Sequence, residues 1–313
     1  MTKTLKPRIN ARSVAMSGEP TVISTFAGCG GSSLGYQWAG FRELLAIEWD
    51  ANAVATFQLN FPDVPVWQRD ICEVTADEIL STCNLSVGEL DVLDGSPPCQ
   101  GFSTAGKRQV MDPRNDLFKQ YVRLIEGLQP RVFVMENVSG MVKGSMKGLF
   151  KEIMLQLKGT GYQVKCRLMN AMYYGVPQSR QRLIFIGSRS DMTEPSYPVP
   201  QGLPLSLRSV CPDVMASRSE RINPWIPSCR PCCTITKTAY RGLFRVAHGE
   251  RAPSLAELKE LSSFPVSFIF AGNDNAAWAR IGNSVMPKFM QAIATHIRTE
   301  ILGCPDCGRV FTD

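Results

Sequence analysis

The residue whose surroundings say most about chemistry is Cys99, in the run Asp94-Gly95-Ser96-Pro97-Pro98-Cys99-Gln100-Gly101-Phe102-Ser103. Two prolines fix φ and press the residues before them into extended backbone, so the thiol behind them is aimed rather than packed. Held partly exposed beside positive charge, such a thiol becomes a thiolate nucleophile; the alternative for any cysteine is a small buried hydrophobe. Glu136, in Met135-Glu136-Asn137-Val138, ends an apolar run, where a partly buried acid can donate a proton. Arg180 and Arg182, in Gln178-Ser179-Arg180-Gln181-Arg182, stand at alternate positions as a further run begins. That spacing predicts two forks on one face, suited to a carboxylate or a phosphate.

A second group of residues suits a nucleoside. Phe26-Ala27-Gly28-Cys29-Gly30-Gly31 lets backbone approach a ligand closely, although such a turn serves equally to pack a helix on a strand. It lacks the Lys-Ser/Thr of a phosphate-binding loop, which disfavours a nucleoside triphosphate. About twenty residues later Glu48 ends the next apolar run, where a doubly wound fold presents an acid to a ribose diol. Trp49 beside it offers an indole face to an adenine, and Asp70-Ile71 supplies a third wall.

To bring these residues together the chain needs strands that end at one edge. Short apolar runs at 22–26, 44–47, 92–93, 132–135 and 183–186 alternate with helical stretches from 32 and at 51–59, 116–128 and 148–157. Alternation of this kind predicts an α/β fold, a doubly wound, mostly parallel sheet with helices on both faces and its ligands at the carboxyl ends of the strands. After residue 188 prolines multiply and the pattern becomes irregular, so a smaller domain is expected at 189–274 beside a catalytic domain at 19–188. Helices are expected at 254–262 and after Pro287, with a tight polar turn at 281–287, and residues 275–313 return to the large domain and end in a tail. Residues 1–18 read as a basic arm.

Composition narrows the classes. The chain has 313 residues, 44% hydrophobic and 20% charged, which excludes wholesale disorder and coiled coil. No apolar stretch is long enough to span a membrane and the N-terminus lacks a signal-peptide pattern, so a cytoplasmic location is expected. The net charge of +6 suits a polyanion without requiring one. Eleven scattered cysteines read as reduced thiols, and two histidines leave little for a histidine metal centre. Cys304-Pro305-Asp306-Cys307 has zinc-knuckle spacing, and Cys229 and Cys232 could supply a second pair, but the pairs are far apart and no metal is expected.

Taken in order, these motifs resemble the cytosine-5 DNA methyltransferase family of bacterial or phage type, from about residue 22 to residue 287: the FAGxGG turn, Glu48-Trp49, Asp70-Ile71, PPCQGFS, Asp112 to Leu117, Glu136-Asn137-Val138, QxRxR, Arg251 with Ser262, Phe264 and Pro265, and Gly282-Asn283-Ser284-Val285. The resemblance implies the methyltransferase fold that binds S-adenosylmethionine, with Phe26, Gly28, Gly30, Glu48, Trp49, Asp70, Ile71, Pro98, Leu117, Asn283 and Ser284 around that cofactor. It implies Cys99 as nucleophile, Glu136 as the acid on the cytosine ring and Arg180 with Arg182 as the basic pair. It departs at Ser24-Thr25, where the family often has an acid before the turn. It further implies a flipped cytosine, a lid at residues 103–114 with Lys107 and Arg108, and a small domain that chooses the sequence in duplex DNA. Arg218, Arg221, Arg230, Lys237 and Arg241 are that domain's candidate DNA contacts.

A monomer is expected. Partner to a restriction endonuclease, solitary methylase and phage protective enzyme all fit. The rivals are a transfer-RNA cytosine-5 methyltransferase, whose usual Cys-Phe-Thr tripeptide this chain lacks, and a non-catalytic DNA-binding protein, which should have lost Cys99, Glu136 or Glu48. A small-molecule methyltransferase fits less well, since it needs no inserted basic domain.

Overall fold

The computed structural model describes residues 18–98, 116–142, 147–219, 223–238 and 243–304. Cys99, the 103–114 segment, Arg221, Arg241, Cys307 and almost all of the N-terminal arm lie outside the described residues.

Seven strands form the main sheet: β1 (Thr21–Thr25), β2 (Arg42–Glu48), β3 (Val66–Gln68), β4 (Val92–Gly95), β5 (Val132–Val138), β6 (Gln163–Asn170) and β7 (Gln181–Ser188), in the order β3-β2-β1-β4-β5-β7-β6. β3 through β5 pair in parallel, and β7 runs antiparallel to both β5 and β6. Buried on both faces, β1 is apolar or small at every position, as a central parallel strand must be. Strand order reverses between β1 and β4, so a crevice opens past their carboxyl ends.

The two faces of the sheet carry separate apolar cores. On one, α1 (Gly31–Trp38) and α8 (Pro287–His296) pack against Val22, Val92, Val134 and Ile184. Gly35 permits this approach: a Cβ there would lie 2.6 Å from Met290 Cβ and 2.7 Å from the Pro287 carbonyl. On the other, α3 (Ala76–Cys83), α4 (Asp116–Leu128) and α5 (Lys147–Gly159) cover Ile23, Leu45, Leu93 and Phe133. The remaining helix of this half, α2 (Ala51–Asn60), starts from an Asp50 cap that accepts from the Asn52 and Ala53 amides.

Residues 189–251 build a small antiparallel sheet of β8 (Ala216–Ser217), β9 (Ile226–Pro227), β10 (Phe244–Val246) and β11 (Gly249–Arg251), ordered β11-β10-β8-β9. The helices α6 (Leu255–Leu261) and α7 (Asp274–Asn283) follow. A third core joins this region to the large one, with Phe57 and Phe61 of α2 in one cluster with Phe244, Phe264, Phe268 and Trp278. Among the described residues no helix is long and apolar enough to cross a membrane.

The mostly parallel sheet and every strand and helix expected from the apolar pattern are present. The pattern omits β3, β6, α3, α7 and the four short strands of the small sheet. β6 is an edge strand whose residues are largely exposed, so it lacks the apolar run that marks a central strand. α3 is announced by a capping box, Thr75 with Glu78, and not by periodicity. The expected turn at 281–287 is half helix, since α7 runs on to Asn283 and only Ser284 to Met286 are extended before Pro287 opens α8.

Candidate active site

Four candidate segments leave the sheet at its carboxyl edge: 26–31 after β1, Glu48-Trp49 at the end of β2, Asp70-Ile71 after β3, and 96–98 after β4. The turn after β1 depends on left-handed backbone at Phe26, Gly28 and Gly30, with φ of 54°, 57° and 92°. Glycine adopts that conformation at no steric cost. The amides of Ala27 and Gly30 donate to Ile47 and Ala27 carbonyls, and Gly28 N–H donates to Glu48 Oε2 at 2.8 Å. Three of the turn's amides are therefore taken up by the fold itself.

Glu48 is buried, and its Oε1 accepts from the Trp49 and Asp50 amides, both at 2.9 Å. A carboxylate offers about four acceptor positions, so three amide bonds leave one on Oε2 for a hydroxyl. Trp49 is 74% exposed, leaving its indole face open. Asp70 caps the following turn through Cys72 N–H, while Ile71 is buried in the core. Leu117 and Phe26 pack on that same core from α4 and the first turn. Ser284 closes the far side: its Oγ lies 3.0 Å from Cys29 Sγ and donates to the Arg280 carbonyl. Asn283 beside it is exposed. Burial pushes the Cys29 thiol up to about 11, which removes this cysteine as a nucleophile at the same edge.

Glu136 and Arg182 face each other diagonally across β5 and β7, with Arg182 Nε 2.5 Å from Glu136 Oε1 and both side chains almost buried. Asn137, next to Glu136, donates from Nδ2 to the Pro97 carbonyl at 3.1 Å and so ties the end of β5 to the loop that leads into Cys99. The expected pair of open arginine forks is not what forms. Arg180 precedes β7, so strand alternation does not govern it, and it is buried, with Nη1 donating to Ile235 O and Nη2 to Gly282 O and Ser284 O at 2.9–3.0 Å. Those carbonyls take both Nη groups, so Arg180 joins the small sheet's loop to the end of α7.

Beneath the edge lies an acid cluster. Asp94 of β4 stands beside Ser24 of β1 in register, and its Oδ1 accepts from Tyr36 OH at 3.3 Å. Glu43 of β2 accepts from Ser33 Oγ at 2.9 Å. Burial first, then the charges of Glu43 and Glu136, pushes the Asp94 carboxyl up to about 8, and burial pushes Glu43 up to about 7. Among the described residues no three His, Cys, Asp or Glu side chains gather as a metal site; Cys304 is buried and its sequence partner Cys307 lies outside those residues.

This geometry belongs to a recognisable lineage. A model of the C-5 cytosine-specific DNA methylase family matches residues 20–223 and 215–299. The chain belongs to that family. The methylase is 34% identical over 324 residues to the Type II methyltransferase M1.HphI of Haemophilus parahaemolyticus, covering 88% of this chain and 85% of that one. To the Type II methyltransferase M.XorII of Xanthomonas oryzae it is 40% identical over 185 residues, 58% of this chain and 44% of that one, so there it spans under half of its relative. Two solved structures share the methylase's fold. A DNA modification methyltransferase encoded within an E. coli prophage superposes with a TM-score of 0.70 at 23% identity, covering 90% of this chain and 99% of that one. Spodoptera frugiperda DNMT2 gives 0.67 at 20% identity, covering 87% and 98%.

S-adenosylmethionine is the methyl donor of this family, and the pocket of the methylase fits it: a spare carboxylate acceptor for a ribose hydroxyl and an open indole for a base. Sequence motifs had marked Glu136 and Arg182 separately, and the structure pairs them. Asn137, Gln178 and the Asp94 and Glu43 carboxyls were not marked. Gln178 is fully buried, donating to Leu261 O and accepting from Ile235 N–H. Its only sequence signal is its place in QxRxR.

Proposed function

We propose that this chain methylates carbon 5 of a cytosine swung out of duplex DNA, at a sequence chosen by residues 189–274, through a covalent bond to Cys99. The observation that carries this reading is the link from Glu136 through Asn137 to the Pro97 carbonyl, which sets a buried, arginine-paired acid beside the root of the Cys99 loop. Carbon 5 of cytosine is a poor nucleophile. Addition of the Cys99 thiolate to carbon 6, with Glu136 bonding to ring nitrogen 3, moves electron density to carbon 5. S-adenosylmethionine, held by Glu48, Trp49, Asp70, Ile71, Leu117, Pro98, Ser284 and the Phe26 to Gly30 turn, supplies a methyl group on a sulfonium. Once carbon 5 carries the methyl, its proton passes to water, the electron pair of that C–H bond restores the double bond between carbons 5 and 6, and the bond to Cys99 Sγ breaks to return the thiolate. Arg182 positions Glu136 and balances the charge left on it as its proton moves to ring nitrogen 3. Extruding the base costs a few kcal/mol.

The relatives' names, Type II methyltransferases, support a methyltransferase that acts on DNA. Bisulfite sequencing of DNA from cells expressing the chain tests the reading directly, with new 5-methylcytosine at one sequence as the expected result. Labelled methyl groups appearing in transfer RNA and not in duplex DNA would overturn it.

A further inference from the structure

One face of the small sheet carries an arrangement that neither packing nor the proposed chemistry employs. Register places Arg245, Ala216, Pro227 and Glu250 side by side, with Arg218 and Trp225 one alternation further along, so all six share a face opposite the buried Phe244 and Ser217 and the half-buried Ile226. Two guanidinium groups sit against one indole: Arg218 Cζ lies 4.2 Å and Arg245 Cζ 4.3 Å from the Trp225 ring centroid. Arg218 also bonds Glu250 at 2.8 Å. Glu250 is Arg245's direct cross-strand neighbour, yet its carboxylate goes to Arg218. Arg245 is exposed, and among the described residues no side-chain hydrogen bond or ion pair engages it.

We infer that Arg245, its Cζ 4.3 Å from the Trp225 ring centroid on an inner strand of the small sheet, reads a guanine edge of the target DNA sequence. Stacking occupies only the faces of a guanidinium, so its in-plane donors stay available for a bidentate bond to guanine O6 and N7. A phosphate contact is the other use of an exposed arginine in a DNA-binding domain. Glu250 is taken up by Arg218, so the donors of Arg245 are left for the DNA, and loss of one base preference against a uniform loss of affinity separates the two uses. The indole contributes the order: a free arginine loses much rotamer freedom on binding, and one already fixed over a ring does not.

The inference rests on the DNA-methylating reading above, and bisulfite sequencing with Arg245→Lys and Arg245→Ala separates the two. Wild type should methylate one defined sequence. Both variants should melt as wild type does and lose, at one position, the preference for guanine by about tenfold to a hundredfold, while the other positions stay strict. Trp225→Leu should relax the same position, as befits a positioning residue, with the salt dependence of DNA binding unchanged. Variants that keep the full sequence preference, whether at unchanged activity or with a uniform loss and a shallower salt slope, overturn the inference alone. Wild type that methylates no DNA overturns the functional reading, and this inference with it.

Discussion

Replacing Asp94 by asparagine should make the protein more stable, and increasingly so as pH rises. Asp94 is 3% exposed, and its carboxyl is pushed up to about 8, by burial first and then by the charges of Glu43 and Glu136. In the unfolded chain the same group titrates near ~4. Between those values the folded state holds a proton that the unfolded state has released, so stability falls with rising pH by about 1.4 kcal/mol per pH unit until the folded group itself ionises. From pH 5 to pH 8 that amounts to roughly 4 kcal/mol, which Asp94→Asn should recover because an amide has no proton to lose. At about 1.5 °C per kcal/mol for a chain of 313 residues, the variant's melting temperature relative to wild type should climb by roughly 6 °C over this window. Asparagine keeps an oxygen to accept from Tyr36, so packing is preserved. Glu43, pushed up to about 7, titrates in the same window in both proteins and cancels from the difference. The assay is thermal melting of both proteins from pH 5 to pH 9. Parallel curves, or a variant that weakens against wild type as pH rises, would refute the assignment of Asp94 as a carboxyl kept neutral by burial.

The remaining predictions concern the site. Cys99→Ser should abolish turnover while cofactor binding survives, and DNA carrying fluorine on cytosine carbon 5 should trap a covalent adduct with the wild-type protein; an unchanged rate in the variant would falsify the nucleophile. Glu136→Gln should slow the chemical step by about 10²- to 10⁴-fold in single-turnover experiments and leave DNA affinity within a few-fold. Equal damage to both would make Glu136 structural. Glu48→Gln should weaken S-adenosylmethionine binding by about 10- to 100-fold in calorimetry, because an amide nitrogen replaces one of two acceptor oxygens that are nearly all in use. Arg180→Met should cost about 3–5 kcal/mol in denaturant unfolding by orphaning three buried carbonyls. A variant as stable as wild type, and inactive, would return Arg180 to the catalytic machinery.

The sequence by itself determined the parts of this protein that depend on neighbours along the chain. Apolar runs ending in turns placed strands, and in an α/β sheet the residue that follows a strand is the residue at the ligand edge, so Glu48, Asp70 and the turn at 26–30 could be read before any coordinates. Capping was equally local, yet the Thr75 and Glu78 box that starts α3 speaks through hydrogen bonding and not through periodicity. What only the tertiary structure decided depends on register and burial between distant segments. Arg180 and Arg182 are two residues apart and look alike in sequence; one is walled in by carbonyls from residues 235, 282 and 284, the other is turned to Glu136 by the antiparallel pairing of β5 and β7. The acids at positions 43 and 94 look like ordinary polar residues until β2, β1 and β4 lie side by side and α1 closes over them. Arg218, Trp225 and Arg245 meet only because β8 draws β9 and β10 to its two sides. A linear pattern records which side chains exist and how far apart they stand along the backbone; the energy of a buried charge or a stacked guanidinium is set by groups that the pattern holds tens or hundreds of residues away.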